Sequence, residues 1–237
     1  MMAEGAGWPR RHLVIALDKA EQAGKMRSIL CLFEGVVTGA ADGYARMTGK
    51  PALSLLHLGH GLANGLANLH NAKWARAPVI NIVGDHASQL RRYFGHPTET
   101  QSSPYVSDIE GLAEPMSGWV RRCRHPDLLA ADAWAACAAS VDPIGQVATL
   151  IVPADVAWTA PTTELHSTHH PPPFPRSQPP VSDAAVASTA ALLETEGERC
   201  LLLVGGDALL HEGLEAANRL ALHSGASLAS NNKVNAA

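Results

Sequence analysis

The sequence predicts an α/β protein, with helices covering both faces of a parallel sheet and a partial second α/β domain following it. Three observations carry this. From Arg27 onward, short apolar runs alternate with helical stretches of about ten to fifteen residues, the spacing of βαβ units. Turn residues fall where helices should stop or start: Gly49-Lys50-Pro51, Ala77-Pro78 and Pro126. With 237 residues, 46% hydrophobic and 17% charged, the chain has apolar material for one large domain, or one domain plus part of another.

Taken in order, Arg10 to Leu17 reads as an amphipathic helix. Its basic start faintly resembles a secretion signal, but Asp18 and Lys19 end the apolar segment early, with no cleavage-like site. Strands are expected at Ile29 to Phe33, Ala52 to Leu58, Val79 to Val83, Trp119 to Cys123 and Gln146 to Val152. Helices are expected at Gly35 to Met47, Leu62 to Arg76, Ile109 to Ser117 and Pro126 to Ser140. These elements make a first domain over 1–160. Residues 161–180 form a Pro/His-rich linker including Pro171-Pro172-Pro173 and Pro179-Pro180, a composition that forms neither strand nor helix. Residues 181–237 make the partial domain: a helix capped by Ser182-Asp183 and running through Glu194, a strand at Cys200 to Val204, a helix at His211 to His223, and a strand at Ala226 to Ala229.

A net charge of -4 without any Lys/Arg block argues against nucleic acid or an anionic membrane surface as partner. No apolar run approaches the ~18 residues of a spanning helix. Cys31, Cys123, Cys137 and Cys200 form neither a CxxC pair nor a disulfide framework, which fits reduced thiols in a cytoplasm.

The most informative segment is Cys31-Leu32-Phe33-Glu34-Gly35-Val36-Val37, where an acid closes an apolar run. By itself it favours a plain reading, with Glu34 solvated in the first turn of a helix, where a carboxylate suits the positive end of the dipole. The alternative is a desolvated acid used for proton transfer or pairing. Gly35, Gly39 and Gly43 repeat every four residues, so bare backbone lines one helix face, for a tight helix crossing or for a subunit contact. In Leu56-His57-Leu58-Gly59-His60-Gly61-Leu62 a strand passes through a glycine turn into a helix, a place where backbone N–H groups meet ligands. Gly59-x-Gly61-x-x-x-Gly65 lacks the dinucleotide spacing, which disfavours nicotinamide binding and weakens an unrelated nucleotide-binding α/β protein as an alternative.

Together, Glu34 through Arg46, Gly49-Lys50-Pro51 and His57 through Gly65 resemble the pyrimidine-binding domain of thiamine-diphosphate-dependent enzymes, acetolactate synthase large subunits and benzoylformate decarboxylase above all. The likeness extends through Asn71-Ala72 and Pro78 to Asp85, and in all from about Glu34 to Pro153. The segment after the linker resembles the start of the family's middle domain. The resemblance implies a thiamine-diphosphate-binding fold and a decarboxylase or carboligase acting on a 2-oxo acid. It implies that Glu34 bonds the aminopyrimidine and shares a proton with it. It further implies an active-site histidine at His57, which stands 57 − 34 = 23 residues after Glu34. An imidazole there could relay a proton near neutral pH. Gly59, His60, Gly61 and Asn64 fall in the cofactor-binding turn. The coenzyme's ring would hold the electrons released as CO₂ leaves. A homodimer or higher oligomer through this domain follows from the same likeness.

Departures are as informative. His60 stands where many relatives have proline, and is read on its own as a tolerated surface histidine. Met1 to Pro9 do not resemble the family's first strand and loop. Nothing matches the Gly-Asp-Gly motif that holds Mg²⁺ and diphosphate, and Asn231, Asn232 and Asn235 lack the acids and glycines of such a site. The expectation is therefore a truncated chain holding half an active site, inactive alone. The alternative is a non-catalytic module of that fold pairing with a fuller subunit. His166, His169 and His170 lie in the linker without a scaffold for a metal. Asp85-His86 admits an acid/base pair or a simple loop start, and Ser88 to Ser107 a substrate lid or an exposed loop.

Overall fold

A computed structural model describes residues 11–88, 108–142, 144–162 and 180–230, in two compact units spanning 1–176 and 177–237. Met1 to Pro9, positions 89–107 of the expected lid, the three linker histidines and Asn231 to Asn235 lie outside the described residues.

The first unit begins with α1 (Arg11–Gln22), α2 (Glu34–Thr48), β1 (Ala52–His57), α3 (Leu58–Trp74) and β2 (Val79–Asp85). It continues with α4 (Ile109–Ala113), β3 (Trp119–Arg122), a 3-10 turn at Pro126–Leu128, α5 (Leu129–Val141), β4 (Val147–Pro153) and α6 (Ala154–Trp158). The strands form one parallel sheet in the order β1-β2-β4-β3. Strand periodicity of two divides the core. Ala52, Leu56, Val79, Val83, Val147 and Ile151 pack with Val37, Leu62, Leu69 and Ile109 on one face. Ile80, Ala148, Leu150 and Val152 pack with Cys123, Ala136 and Val156 on the other. Covering both faces explains why central β4 is buried at every position.

One buried polar row interrupts this core. Ser54, Asn81 and Thr149 are register partners across β1, β2 and β4. Ser54 Oγ donates to Asn81 Oδ1 at 2.9 Å, Asn81 Nδ2 donates to Thr149 Oγ1 at 3.2 Å, and Ser117 Oγ lies 2.7 Å from Thr149 Oγ1. Each group satisfies the next, so the row survives burial. A one-residue slip would send all three side chains to different neighbours, so the row also pins the register.

Ile29 to Phe33 is not a strand. Leu30 makes an isolated bridge, Cys31 alone is buried, and Leu32 is 97% exposed. An apolar run satisfies the pattern of a buried strand and of an apolar surface segment equally, and here it is the second. Phe33 is the extended N-cap of α2, its carbonyl accepting from the N–H groups of Val36 and Val37. Helix α3 starts at Leu58 rather than Leu62, absorbing the glycine turn, and α4 stops at Ala113, short of Ser117.

The second unit holds α7 (Asp183–Glu196), β5 (Leu201–Val204), α8 (His211–Ser224) and β6 (Ser227–Ser230), with β5 and β6 parallel. Ser182 Oγ caps α7 by accepting from Ala185 N–H at 3.2 Å. Gly225 closes α8 in the left-handed conformation, at φ 75°. Among the described residues no helix is long and apolar enough to cross a membrane, and all four cysteines are free.

Candidate active site

The site is built where α2 and α3 cross. Thr38, fully buried on α2, donates through Oγ1 to Gly65 O at 3.0 Å, and Asn68 Nδ2 of α3 donates to Gly35 O at 2.7 Å. Side chains thus bond directly to the opposite helix backbone, an approach that needs small residues at the crossing. A Cβ on Gly65 would lie 2.8 Å from Thr38 Cγ2, and one on Gly39 2.9 Å from Asn68 Nδ2. Of the three glycines spaced by four on α2, Gly39 is the one whose would-be Cβ lies nearest an α3 side chain. A Cβ on Gly35 would meet its own neighbour's ring, Phe33, and one on Gly43 nothing within 4 Å.

This crossing sets Glu34 beside the first turn of α3. Glu34 is the first residue of α2 and is half-buried, so it is a helix-start acid, as the plain reading expects, and also part of a cleft. Asn64 Nδ2 donates to its Oε2 at 3.2 Å. Its Oε1 lies against Gly61, where a Cβ would come within 3.3 Å of that oxygen and 3.7 Å of His57 Cβ. The carboxylate therefore faces backbone where any other residue would place a side chain. The amino ends of α2 and α3, with their partial positive charge, both lie at this carboxylate.

His57 ends β1, paired in register with Gly84, and is half-buried. Leu58 follows with φ 57°, a left-handed conformation unusual for a branched side chain, and this single residue turns the strand into α3. The reversal brings His60 back over His57, ring centroids 5.5 Å apart and planes at 86°. His60 is exposed, and Gly59 and Gly61 are buried on either side of it. The structure thus gathers Glu34, His57, His60, Gly61 and Asn64 at one end of the α2–α3 crossing.

Sequence reasoning missed a second charged cluster at the carboxyl ends of β2 and β3. Arg122 donates from Nε to Glu110 Oε1 at 2.5 Å, from a terminal nitrogen to Glu110 Oε2 at 2.7 Å, and from the other to Asp85 Oδ2. Burial works against the guanidinium charge, but the two carboxylates outweigh it and hold Arg122 above its ordinary value. Asp85 Oδ1 accepts from His86 N–H at 2.7 Å, so this acid is held in an ion-pair cluster. The signal available was Arg121-Arg122 inside an expected strand of a sheet covered on both faces, which calls for acid partners. Among the described residues no group of three or more His, Cys, Asp or Glu is placed to hold a metal ion.

Comparison with known proteins bears directly on this geometry. Residues 6–106 match the model of the thiamine pyrophosphate enzyme N-terminal TPP binding domain, a span that contains the whole cluster from Glu34 to Asn64. That segment, under half of the chain, is similar to the N-terminal domain of the thiamine pyrophosphate enzymes. IlvX of Mycobacterium tuberculosis, named as an acetolactate synthase large subunit, is 46% identical over 220 residues, covering 93% of this chain and 39% of IlvX. Benzoylformate decarboxylase of Pseudomonas aeruginosa is 34% identical over 93 residues, covering 39% of this chain and 16% of that protein. The solved 4-hydroxybenzoylformate decarboxylase of Rhodococcus jostii RHA1 shares the fold, with a TM-score of 0.74 at 20% identity over 95% of this chain and 40% of that one. The chain thus spans about two fifths of the length of IlvX and of the Rhodococcus decarboxylase.

Proposed function

We propose that this thiamine pyrophosphate enzyme domain contributes the pyrimidine-binding half of a thiamine diphosphate site for decarboxylation or carboligation of a 2-oxo acid. The observation that carries this is the Glu34 carboxylate set against bare backbone at Gly61, with Asn64 holding its other oxygen. A flat ring needs such a cradle: a space without a side chain, with a hydrogen-bonding acid at its edge. Glu34 would accept and return the ring's proton, and Asn64 would orient the carboxylate. The backbone of Gly59, His60 and Gly61 would line the ring's path, and His57 would move a proton to or from the reacting substrate. When bound, the coenzyme supplies an electron sink for carbon–carbon bond cleavage or formation.

The proposal assigns Mg²⁺ and the diphosphate to protein outside the described residues. It also includes a facing second copy as partner. Phe33, Val36, Tyr44 and Met47 are exposed along α2 at helical spacing, and Leu32 precedes them, an apolar surface of the kind that a subunit contact covers. Four free cysteines support a reducing cytoplasm.

Titration calorimetry with thiamine diphosphate and Mg²⁺ tests the proposal. Wild-type protein should bind, and Glu34→Gln should bind at least about 10-fold more weakly, as expected for loss of a charged hydrogen bond. Absence of binding, or binding unaffected by Glu34→Gln, refutes it.

A further inference from the structure

We propose that His60 is a positioning residue for His57, its ring fixing the plane of the His57 imidazole through edge-to-face contact. This rests on the site assignment above. Three features of the chain converge on it. Leu58, at φ 57°, folds α3 back over the end of β1, so that the residue two positions later returns to the strand terminus. Gly59 and Gly61 flank that residue and carry no side chains, so in the first turn of α3 only Leu58 and His60 have them, and Leu58 is buried at 6% exposure. The His60 ring then meets the His57 ring at 5.5 Å and 86°, the T-shaped geometry that the ring quadrupole favours.

The consequence concerns the cleft. His57 Cβ and Glu34 Oε1 flank the same bare position, Gly61. Rotation of His57 about χ1 therefore changes what imidazole surface stands near the carboxylate. His60 lies on the exposed side and narrows that rotation. An aromatic edge-to-face contact biases a side chain toward one rotamer by about 2- to 10-fold. The contact needs a ring, not a charge, so phenylalanine at position 60 should serve and alanine should not.

The test uses the full chain without coenzyme. Side-chain couplings and ring-to-ring NOEs of His57, assigned with the help of His57→Gln, report its χ1 population in wild type, His60→Ala and His60→Phe. Wild type should show one dominant rotamer, His60→Ala a ratio about 2- to 10-fold lower, and His60→Phe a ratio restored to near wild type. An unchanged ratio in His60→Ala overturns the proposal. So does failure of His60→Phe to restore it while tryptophan fluorescence shows native stability. His60 is exposed, so both variants are expected to fold. Thiamine diphosphate titration of the same samples keeps the two proposals apart. Loss of coenzyme binding in wild type with His57 still dependent on residue 60 removes only the proposed function. Normal binding with His57 indifferent to residue 60 removes only this one. Where turnover is measured, His60→Ala should lower kcat by about 2- to 10-fold with KM nearly unchanged, and His60→Phe should recover it.

Discussion

Gly65→Ala is the sharpest test of how the α2–α3 crossing is built. The new methyl would lie 2.8 Å from Thr38 Cγ2 and 3.4 Å from Leu56 Cδ1. Thr38 is 0% exposed and tied through its hydroxyl to Gly65 O at 3.0 Å, and Leu56 is 1% exposed, so neither has room to yield. Overpacking of this kind costs about 1–3 kcal/mol, against which alanine in a helix returns about 0.5–1 kcal/mol, leaving a net loss of up to about 2.5 kcal/mol. Thr38→Ser deletes the clashing methyl and keeps the hydroxyl, so in that background Gly65→Ala should become neutral or stabilising. Gly43→Ala, with nothing within 4 Å, should gain about 0.5–1 kcal/mol and serves as the helix-propensity control. All five tryptophans (Trp8, Trp74, Trp119, Trp134 and Trp158) belong to the first unit, so urea unfolding followed by tryptophan fluorescence reads that unit alone. If Gly65→Ala matches Gly43→Ala, or its effect is the same with serine at 38, close packing does not explain the glycine.

Three further outcomes follow from buried polar groups. Asn81→Leu should lose about 1–3 kcal/mol by urea unfolding, because Ser54 Oγ then lacks its acceptor, and Ser54→Ala/Asn81→Val/Ser117→Ala/Thr149→Val, which removes the whole row, should recover much of that. Arg122→Met strands the buried Asp85 carboxylate and should cost about 3–5 kcal/mol by the same measurement, with Glu110→Gln milder because Glu110 is more exposed. Burial pushes the Cys123 thiol up to about 11 from 9.0. Between those values the unfolded chain has lost the thiol proton and the folded chain keeps it, so that stability is present in full below about pH 9 and is lost as pH rises toward 11. The loss is about 2–3 kcal/mol, and it is smaller in Cys123→Ala, where the Cys137 thiol, also raised by burial, leaves a residual slope.

Much of the parallel sheet was legible because its strands are two-sided. Val79 to Val83 and Gln146 to Val152 are apolar at successive positions apart from Asn81, Gln146 and Thr149, and a sheet covered on both faces accounts for such runs. Ile29 to Phe33 is equally apolar and failed, since nothing in composition says whether apolar side chains meet a core or a surface. The start of α3 failed for a local reason: Gly59 and Gly61 look like turn residues, but a positive φ at Leu58 completes the turn in one step, and leucine does not advertise that conformation. The polar row and the identity of Arg122's acid partners were not legible because each joins residues distant in sequence through the strand order β1-β2-β4-β3.

Glu34 shows why the plain and the chemical readings of one acid need not compete. A carboxylate in the first turn of a helix is stabilised by the dipole wherever the helix sits. What makes this one suited to chemistry is the second helix: Thr38 and Asn68 draw the α3 backbone close, Gly61 leaves that backbone bare, and the carboxylate is enclosed on one side without a side chain to occupy it. A solvated helix-start acid thus becomes the wall of a cleft through the packing of residues that touch no ligand. A change at Gly65, one helical turn from Gly61, should accordingly reach the site by moving the helix, even with every site residue in place. Gly65→Ala should therefore lower affinity for thiamine diphosphate in proportion to its loss of stability, and the affinity should return with serine at 38.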